Sequence, residues 1–377
     1  MDGRLHARIE NISIRGFRSL ADVKLEGLPP VAVLIGANGS GKSNVMRFFE
    51  MLGRMLRSSR LGDFVQMQGG ADDQLFQGRR RTPQLEAELR LATELGHNDY
   101  RFVLAHAHPD RLIFLEEAYR FSKLAWPTTA EWRYVGSGHA EAGIVAAAAP
   151  PASPQQKTAS VVVNLLRNCV TYQFHDTSDE SRFKQSWDVS DNGFLRSHGG
   201  NLAAVLHRLE AEDGDRFRLI CRHVGRILPG FDRFVLDERY GKVLLRWAAA
   251  HSDKTFGAHL TSDGSLRFFA LVTLLNLPPE MLPDVILLDE PELGLHPMAV
   301  DLVAEMVKAA GQNRQVIVAT QSPLLVDAFG LDQVIVLDLD QGATVLRQLN
   351  PAQYAQWIEQ DYSAGRLWTK NLLGGGP

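Results

Sequence analysis

Cysteine is nearly absent: the 377 residues hold two, Cys169 and Cys221. Their separation fits neither a zinc-ligand spacing nor a disulfide framework, so a reducing, cytoplasmic setting is expected. Long apolar runs are missing too. No stretch approaches the roughly 18 residues of a membrane span, and "MDGRLHARIE" has no apolar signal-peptide core, so no membrane association is expected. Neither sign of charge dominates. Against 44 Asp and Glu stand 40 Lys and Arg, a net charge of −4, which argues against a protein that coats nucleic acid with its whole surface. Internal repeats and sustained heptads are lacking, which excludes a long coiled coil. What remains is an ordinary globular composition, 45% hydrophobic and 22% charged, long enough for two or three subdomains.

The charge is unevenly spread. Residues 1–81 carry 13 Lys and Arg against 8 Asp and Glu, or +5, which leaves −9 for the rest. Arg79, Arg80 and Arg81 are the sharpest basic cluster, either a solvated face or a contact for DNA phosphates. Residues 9–52 alternate like strands and then turn helical. Residues 84–120 repeat with period two between hairpin turns, an antiparallel sheet. Residues 136–160, rich in Ala, Pro and Ser, read as a surface loop. Helical stretches follow at about 200–212 and 215–228, with a hairpin around Gly241. The last third alternates: helix 264–277, strand 284–289, helix 297–310, strand 315–320, strand 332–338. That is an α/β pattern with a parallel sheet.

Two segments carry chemistry. "GANGSGKS", residues 36–43, has the spacing of a phosphate-binding loop between a strand, Val31–Ile35, and a helix. Gly36, Gly39 and Gly41 let backbone N–H groups converge on phosphate oxygens without a Cβ in the way. Lys42 reaches the β- and γ-phosphates, Ser43 is placed to ligate Mg²⁺, and the helix end adds its positive dipole. Asn38, Ser40 and Asn44 go with them against the nucleotide. The second segment is "DVILLDEPELGLHP", residues 284–297. Four apolar residues end in Asp289, for the Mg²⁺ shell, and Glu290, to orient and deprotonate the attacking water. An acidic pair after a strand often merely caps a helix; behind a phosphate-binding loop it points to ATP hydrolysis.

The order of these segments with "LTSDGSLRFFAL" and "VIVATQSPLLV" resembles the ABC-type ATPase head of the SMC/RecF/OLD class. Within it the chain looks most like stand-alone bacterial AAA-type ATPases with "IRGFRSL", "FHDTS" and "LDEPELGLHP". The resemblance covers nearly the whole chain. It implies an α/β P-loop NTPase with a mixed central sheet, an antiparallel β subdomain and a helical signature subdomain. The expected divisions are residues 1–190, 191–282 and 283–377. It further implies a homodimer with ATP and Mg²⁺ sandwiched between heads, so that Ser262 and Gly264 meet the γ-phosphate held by the partner. Ser262 also reads as an ordinary N-cap, and the two roles are compatible.

The sequence departs from the usual pattern in several places. The signature is Ser-Asp-Gly rather than Ser-Gly-Gly, which puts Asp263 near a phosphate. Gln321 stands where a switch histidine is usual, so a histidine-linked pH response is not expected there. The Mg²⁺-contacting glutamine position aligns with His175, with Gln173 two residues earlier on the same face; a surface histidine is the other reading. Arg18 in "GFRSL" resembles an arginine brought near the phosphates, or is an exposed cation at a strand end. His296 falls in the loop expected to touch the partner subunit. Asp338 and Asp340 form an Asp-x-Asp like that of TOPRIM nucleases. Only 37 residues follow Asp340 and no upstream acidic motif pairs with it, so it reads as a core strand entering a turn. The expected function is therefore an ATP-hydrolysing head that acts on DNA or on a separately encoded effector such as a small nuclease, in genome maintenance or phage defence. The alternative is an ATP-gated sensor or scaffold with little turnover.

Overall fold

The computed structural model describes residues 7–58, 60–124, 130–148, 154–178 and 180–376. From the N-terminus come β1 (Arg8–Phe17), β2 (Leu20–Leu25), β3 (Val31–Ile35), α1 (Lys42–Ser58) and α2 (Leu61–Met67). Then follow β4 (Gln84–Thr93), β5 (Gly96–Ala107), β6 (Arg111–Lys123), β7 (Arg133–Gly136), α3 (Ile144–Ala147) and α4 (Pro154–Arg167). The middle of the chain contributes β8 (Cys169–Tyr172), β9 (Trp187–Asp188), α5 (Leu202–Glu212), α6 (Gly214–Ile227), β10 (Phe231–Phe234), β11 (Lys242–Val243), β12 (Arg246–Ala249) and β13 (Thr255–Gly257). Last come α7 (Asp263–Leu275), β14 (Val285–Asp289), α8 (Pro297–Ala310), β15 (Gln315–Thr320), α9 (Pro323–Val326), β16 (Val334–Asp340), β17 (Ala343–Gln348), α10 (Ala355–Ile358) and α11 (Ala364–Thr369).

Two six-stranded sheets organise these elements. The central one runs β17-β16-β3-β15-β14-β8 and is parallel except for β17, which returns antiparallel along β16. Its inner strands are buried on both faces, which is why they read as unbroken apolar runs such as "VAVLI" and "VILLD". Strand alternation divides their side chains between two cores. Ala32, Leu34, Val285 and Leu287 pack toward α1, α4 and the second sheet. Val33, Ile35, Ile286 and Leu288 face α5–α9. The second sheet, β2-β1-β4-β5-β6-β7, is antiparallel throughout, as the period-two pattern requires.

The structure corrects two readings. Residues 136–160 are not simply a surface loop. Ile144 in α3 is buried, and α4 buries Ala159, Val162, Leu165 and Leu166 while packing against α1. Pro and Ser suggested a loop, but Ala159, Val162, Leu165 and Leu166 recur at helical spacing and give α4 an apolar face; residues 149–153 lie outside the described residues. The turn at Gly241 is tight, with Arg239 and Lys242 exchanging backbone hydrogen bonds. Its arms separate, however: β11 pairs with β9, while β10 pairs with β12.

Candidate nucleotide site

The loop after β3 sits at the C-terminal edge of the parallel sheet, where open α/β sheets bind ligands. Gly39 and Gly41 adopt φ of +83° and +106°, the left-handed region that favours glycine. A Cβ on Gly41 would fall 2.0 Å from Thr344 Oγ1. Lys42 Nζ donates to the carbonyls of Gly36 (2.5 Å) and Ala37 (3.0 Å). Burial lowers the Lys42 pKa, and the carboxylates of Glu290, Asp289 and Glu292 oppose that shift. Ser40 Oγ is buried with no hydrogen-bond partner among the described residues. A buried cation among main-chain carbonyls, an unpaired hydroxyl and a glycine cradle fit a polyphosphate. Ser43, Asn38 and Gly39 are exposed beside them. Asn44 instead turns its amide to Ser19 Oγ (2.6 Å). Arg18 is bound to Gln74 Oε1 and Gln68 Oε1, each at 3.1 Å, on a backbone of φ +48°.

The carboxylates stand at the end of β14, flanked by β15 and β8. Asp289 is buried, which raises its pKa, while the amide of Gln173 opposes the shift by donating to Oδ2 at 2.5 Å. His175 Nε2 reaches only the Asp289 main-chain oxygen (3.2 Å). Of the two candidates just after β8, the glutamine therefore faces the carboxylate. Glu290 has φ +46°, a conformation costing an ordinary residue roughly 1–3 kcal/mol, and its N–H is held by the Ala319 carbonyl (2.8 Å). That strain turns its side chain to Gln321, whose amide donates to Oε1.

Sequence reasoning missed two further groups. Glu292 Oε1 accepts from Thr320 Oγ1 (2.6 Å) and Gln321 N (3.2 Å), while its buried Oε2 has no hydrogen-bond partner among the described residues. Burial raises its pKa. A third carboxylate in "DEPEL" was the available signal. Arg267, one turn into α7, donates to the carbonyls of Phe174 (3.0 Å), His175 (3.1 Å) and Leu293 (3.1 Å). Three main-chain acceptors leave no trace in a sequence.

At the start of α7, Ser262 is the N-cap, its Oγ accepting from Ser265 N (3.3 Å). Gly264 lies against the loop after β14, where its Cβ would come 2.4 Å from the Gly294 oxygen. His296 caps α8 by accepting from Met298 N (3.3 Å), and no group of His, Cys, Asp and Glu among the described residues is arranged to hold a metal by itself. Two separate clefts result. One of about 620 Å³ is lined by Gly36, Asn38, Gln321, Trp368 and Asn371. The other, about 190 Å³, is lined by Ser262, Gly264, Phe268, Gly294 and His296. They share no lining residue. Arg79 is engaged by His106 (2.8 Å), and Arg80 and Arg81 are exposed on the turn after it. Among the described residues, no helix is long and apolar enough to cross a membrane.

This fold and loop arrangement define an ABC-type ATPase of the SMC/RecF class. Two solved structures share the fold. One is an SMC head bound to the C-winged helix domain of ScpA, with TM-score 0.61 and 16% identity over 92% of this chain and 99% of that one. The other is the Pyrococcus furiosus Smc head with an extended coiled coil bound to the C-terminal domain of ScpA, with TM-score 0.57 and 14% identity over 94% and 99%. A stretch of 60 residues is 42% identical to the DNA replication and repair protein RecF of Pseudomonas savastanoi pv. phaseolicola, and the same match is found in Pseudomonas syringae pv. syringae. It spans 15% of this chain and 16% of the relative. More specifically, residues 31–327 match the family described as "AAA domain, putative AbiEii toxin, Type IV TA system", and the chain belongs to that family.

Proposed function

We propose that this ATPase binds ATP at Gly36–Ser43 and hydrolyses it only when a second copy closes over the site with Ser262 and Gly264. The carrying observation is the separation of the two clefts. Gly36, Asn38 and Gln321 line one, where Gln321 holds Glu290 and the Glu290 and Asp289 carboxylates act on Lys42, while Ser262 and Gly264 line the other. A helix end with free N–H groups and a positive dipole suits an anion, and in a two-fold dimer it meets the partner's nucleotide. Ser43 and Asp289 would hold Mg²⁺, which when bound neutralises phosphate charge. Glu290 takes the proton of the attacking water. Gln321 holds the Glu290 carboxylate, and Gln173 holds Asp289. His175 and Arg18 serve as supports of the surrounding loops rather than as direct phosphate contacts. The DNA repair role in the RecF name and the ScpA contact of SMC heads support an output on DNA or on a separately encoded protein.

The test is Ser262→Arg. It leaves the P-loop intact, so ATP affinity should stay near wild type while ATP-dependent dimerisation and turnover disappear. A folded Ser262→Arg monomer that hydrolyses ATP normally would sink the sandwich. A second reading, an ATP-gated scaffold with little turnover, is favoured by the Gln321 amide lying on the Glu290 oxygen that must accept the proton. Dimerisation with ATP but negligible steady-state turnover of the wild type would select it.

A further inference from the structure

Both ends of the P-loop rest on parts of the chain that follow β15. Beside Gly41 stands Thr344 of β17. Its N–H donates to the Ser19 carbonyl (2.7 Å), and its hydroxyl bonds Ser19 Oγ (2.7 Å). Beside Gly36 lie the Leu337 carbonyl and the segment Leu372–Gly376, which returns from α11. The returning segment is pinned at three points. Gly375 N–H donates to Asp338 Oδ1 (2.9 Å), and the Gly375 carbonyl accepts from the Trp368 indole (3.1 Å). Arg347 donates to the Leu373 carbonyl, and the Leu373 side chain is fully buried. Gly375 has φ +67°, and a Cβ there would meet Val336 Cγ1 at 2.6 Å and Gly36 Cα at 3.4 Å.

We propose that Asp338 and the segment Leu372–Gly376 form a strap that holds the start of the P-loop ready for phosphate. Asp338 is then a positioning residue acting through Gly375 on Gly36. The inference rests on the nucleotide reading above. Its physical basis is preorganisation: a glycine-rich loop has many conformations, and contacts that fix it beforehand lower the entropy lost on binding. Lys42 also tethers the Gly36 and Ala37 carbonyls, but it gives up those bonds when it turns to a phosphate. The Asp338–Gly375 bond uses neither Lys42 nor a P-loop N–H, so it need not be given up for a phosphate. The Asp-x-Asp of β16 thereby acquires a use that involves no metal: Asp338 anchors the strap, and Asp340 is exposed at the turn.

The experiment compares Asp338→Ala, Asp338→Asn and Gly375→Val in the full chain, with Lys42→Ala as control. Affinity is read with a fluorescent ATP analogue and Mg²⁺, alongside KM, kcat and thermal melts. Asp338→Ala and Gly375→Val should raise Kd and KM roughly tenfold, the range of one charge-assisted hydrogen bond, and leave kcat at saturation within about twofold. Asp338→Asn, whose carboxamide oxygen still accepts from Gly375 without the charge, should fall between wild type and Asp338→Ala. A folded Asp338→Ala with unchanged Kd overturns the strap, as does an Asn variant as weak as the Ala variant. If Asp338→Ala does not fold, Gly375→Ala carries the same comparison with a single methyl. Failure of the underlying reading looks different: wild type would not bind the analogue, or Lys42→Ala would bind it equally well.

Discussion

Replacing Gly264 by alanine tests the packing of the signature turn with one carbon atom. The new Cβ would stand 2.4 Å from the Gly294 carbonyl oxygen, whereas side chains tolerate about 3.0–3.4 Å, so the two must part by about 0.6–1.0 Å. The helix is not the partner that yields: Leu266, Phe268 and Phe269 behind Gly264 are buried. The loop Glu292–His296 moves instead, and its Leu293 carbonyl is tied to Arg267 while Glu292 is tied to Thr320 and Gln321. Alanine in a helix gains about 1 kcal/mol over glycine. Overpacking costs roughly 1–3 kcal/mol, so the net effect is a modest loss of stability. Displacing catalytic supports by about 1 Å costs roughly 10²-fold in rate, and that should dominate. ATP affinity of the isolated chain should be unchanged, since Gly36–Ser43 are untouched. Steady-state phosphate release, analogue binding and a thermal melt separate the three effects. Wild-type turnover in a folded Gly264→Ala chain would refute the contact as a determinant of catalysis.

Two other outcomes are expected. Glu290→Gln should cut turnover roughly 10²–10⁴-fold with ATP binding intact, measured by phosphate release and analogue titration; near-normal turnover removes Glu290 as the base. The Glu292 carboxyl has a raised pKa in the folded chain because of burial. Its favourable contribution is therefore fully present below the ordinary Glu value of about 4.3 and lost as pH rises through the raised folded value. Glu292→Gln keeps an acceptor for Thr320 without that loss, so its stability relative to wild type should be higher at pH 8 than at pH 4. Melts whose difference does not vary between those pH values would remove the carboxyl from the linkage.

How much of this was legible in the sequence depends on whether an interaction leaves a residue-type signature. The P-loop and the Asp289–Glu290 pair did, because glycine, lysine and carboxylate at those spacings have few other uses. The central strands did as well, since burial on both faces demands apolar runs. Between Gln173 and His175 the sequence pattern favoured His175, because residues two apart in an extended segment share a face. Only the approach of β8 to β14 decides which reaches the carboxylate. The residues 136–160 misled because composition reports propensity and not what a helix packs against. Glu292, paired with a threonine and a main-chain N–H across two loops, depends on contacts distant in the chain.

Arg267 shows the same limit and also explains the residue type. Its guanidinium spans carbonyls on two loops, Phe174 and His175 after β8 and Leu293 after β14. Those loops carry the groups that surround Asp289 and Glu290. A planar fork with five donors can reach three oxygens at once; a lysine ammonium on its flexible stem presents a point charge and cannot fix the same spread. The acceptors are main-chain atoms, so the clamp is indifferent to which side chains the loops bear. Gly264 presses on the same loop one turn earlier, against Gly294. The start of α7 is thus fastened to the carboxylate loops by a cation on one turn and by close backbone contact on the other. A displacement felt at Ser262 cannot leave them where they were. The small residues that open "SDGSLR" leave a surface thin enough for the loop to lie against it.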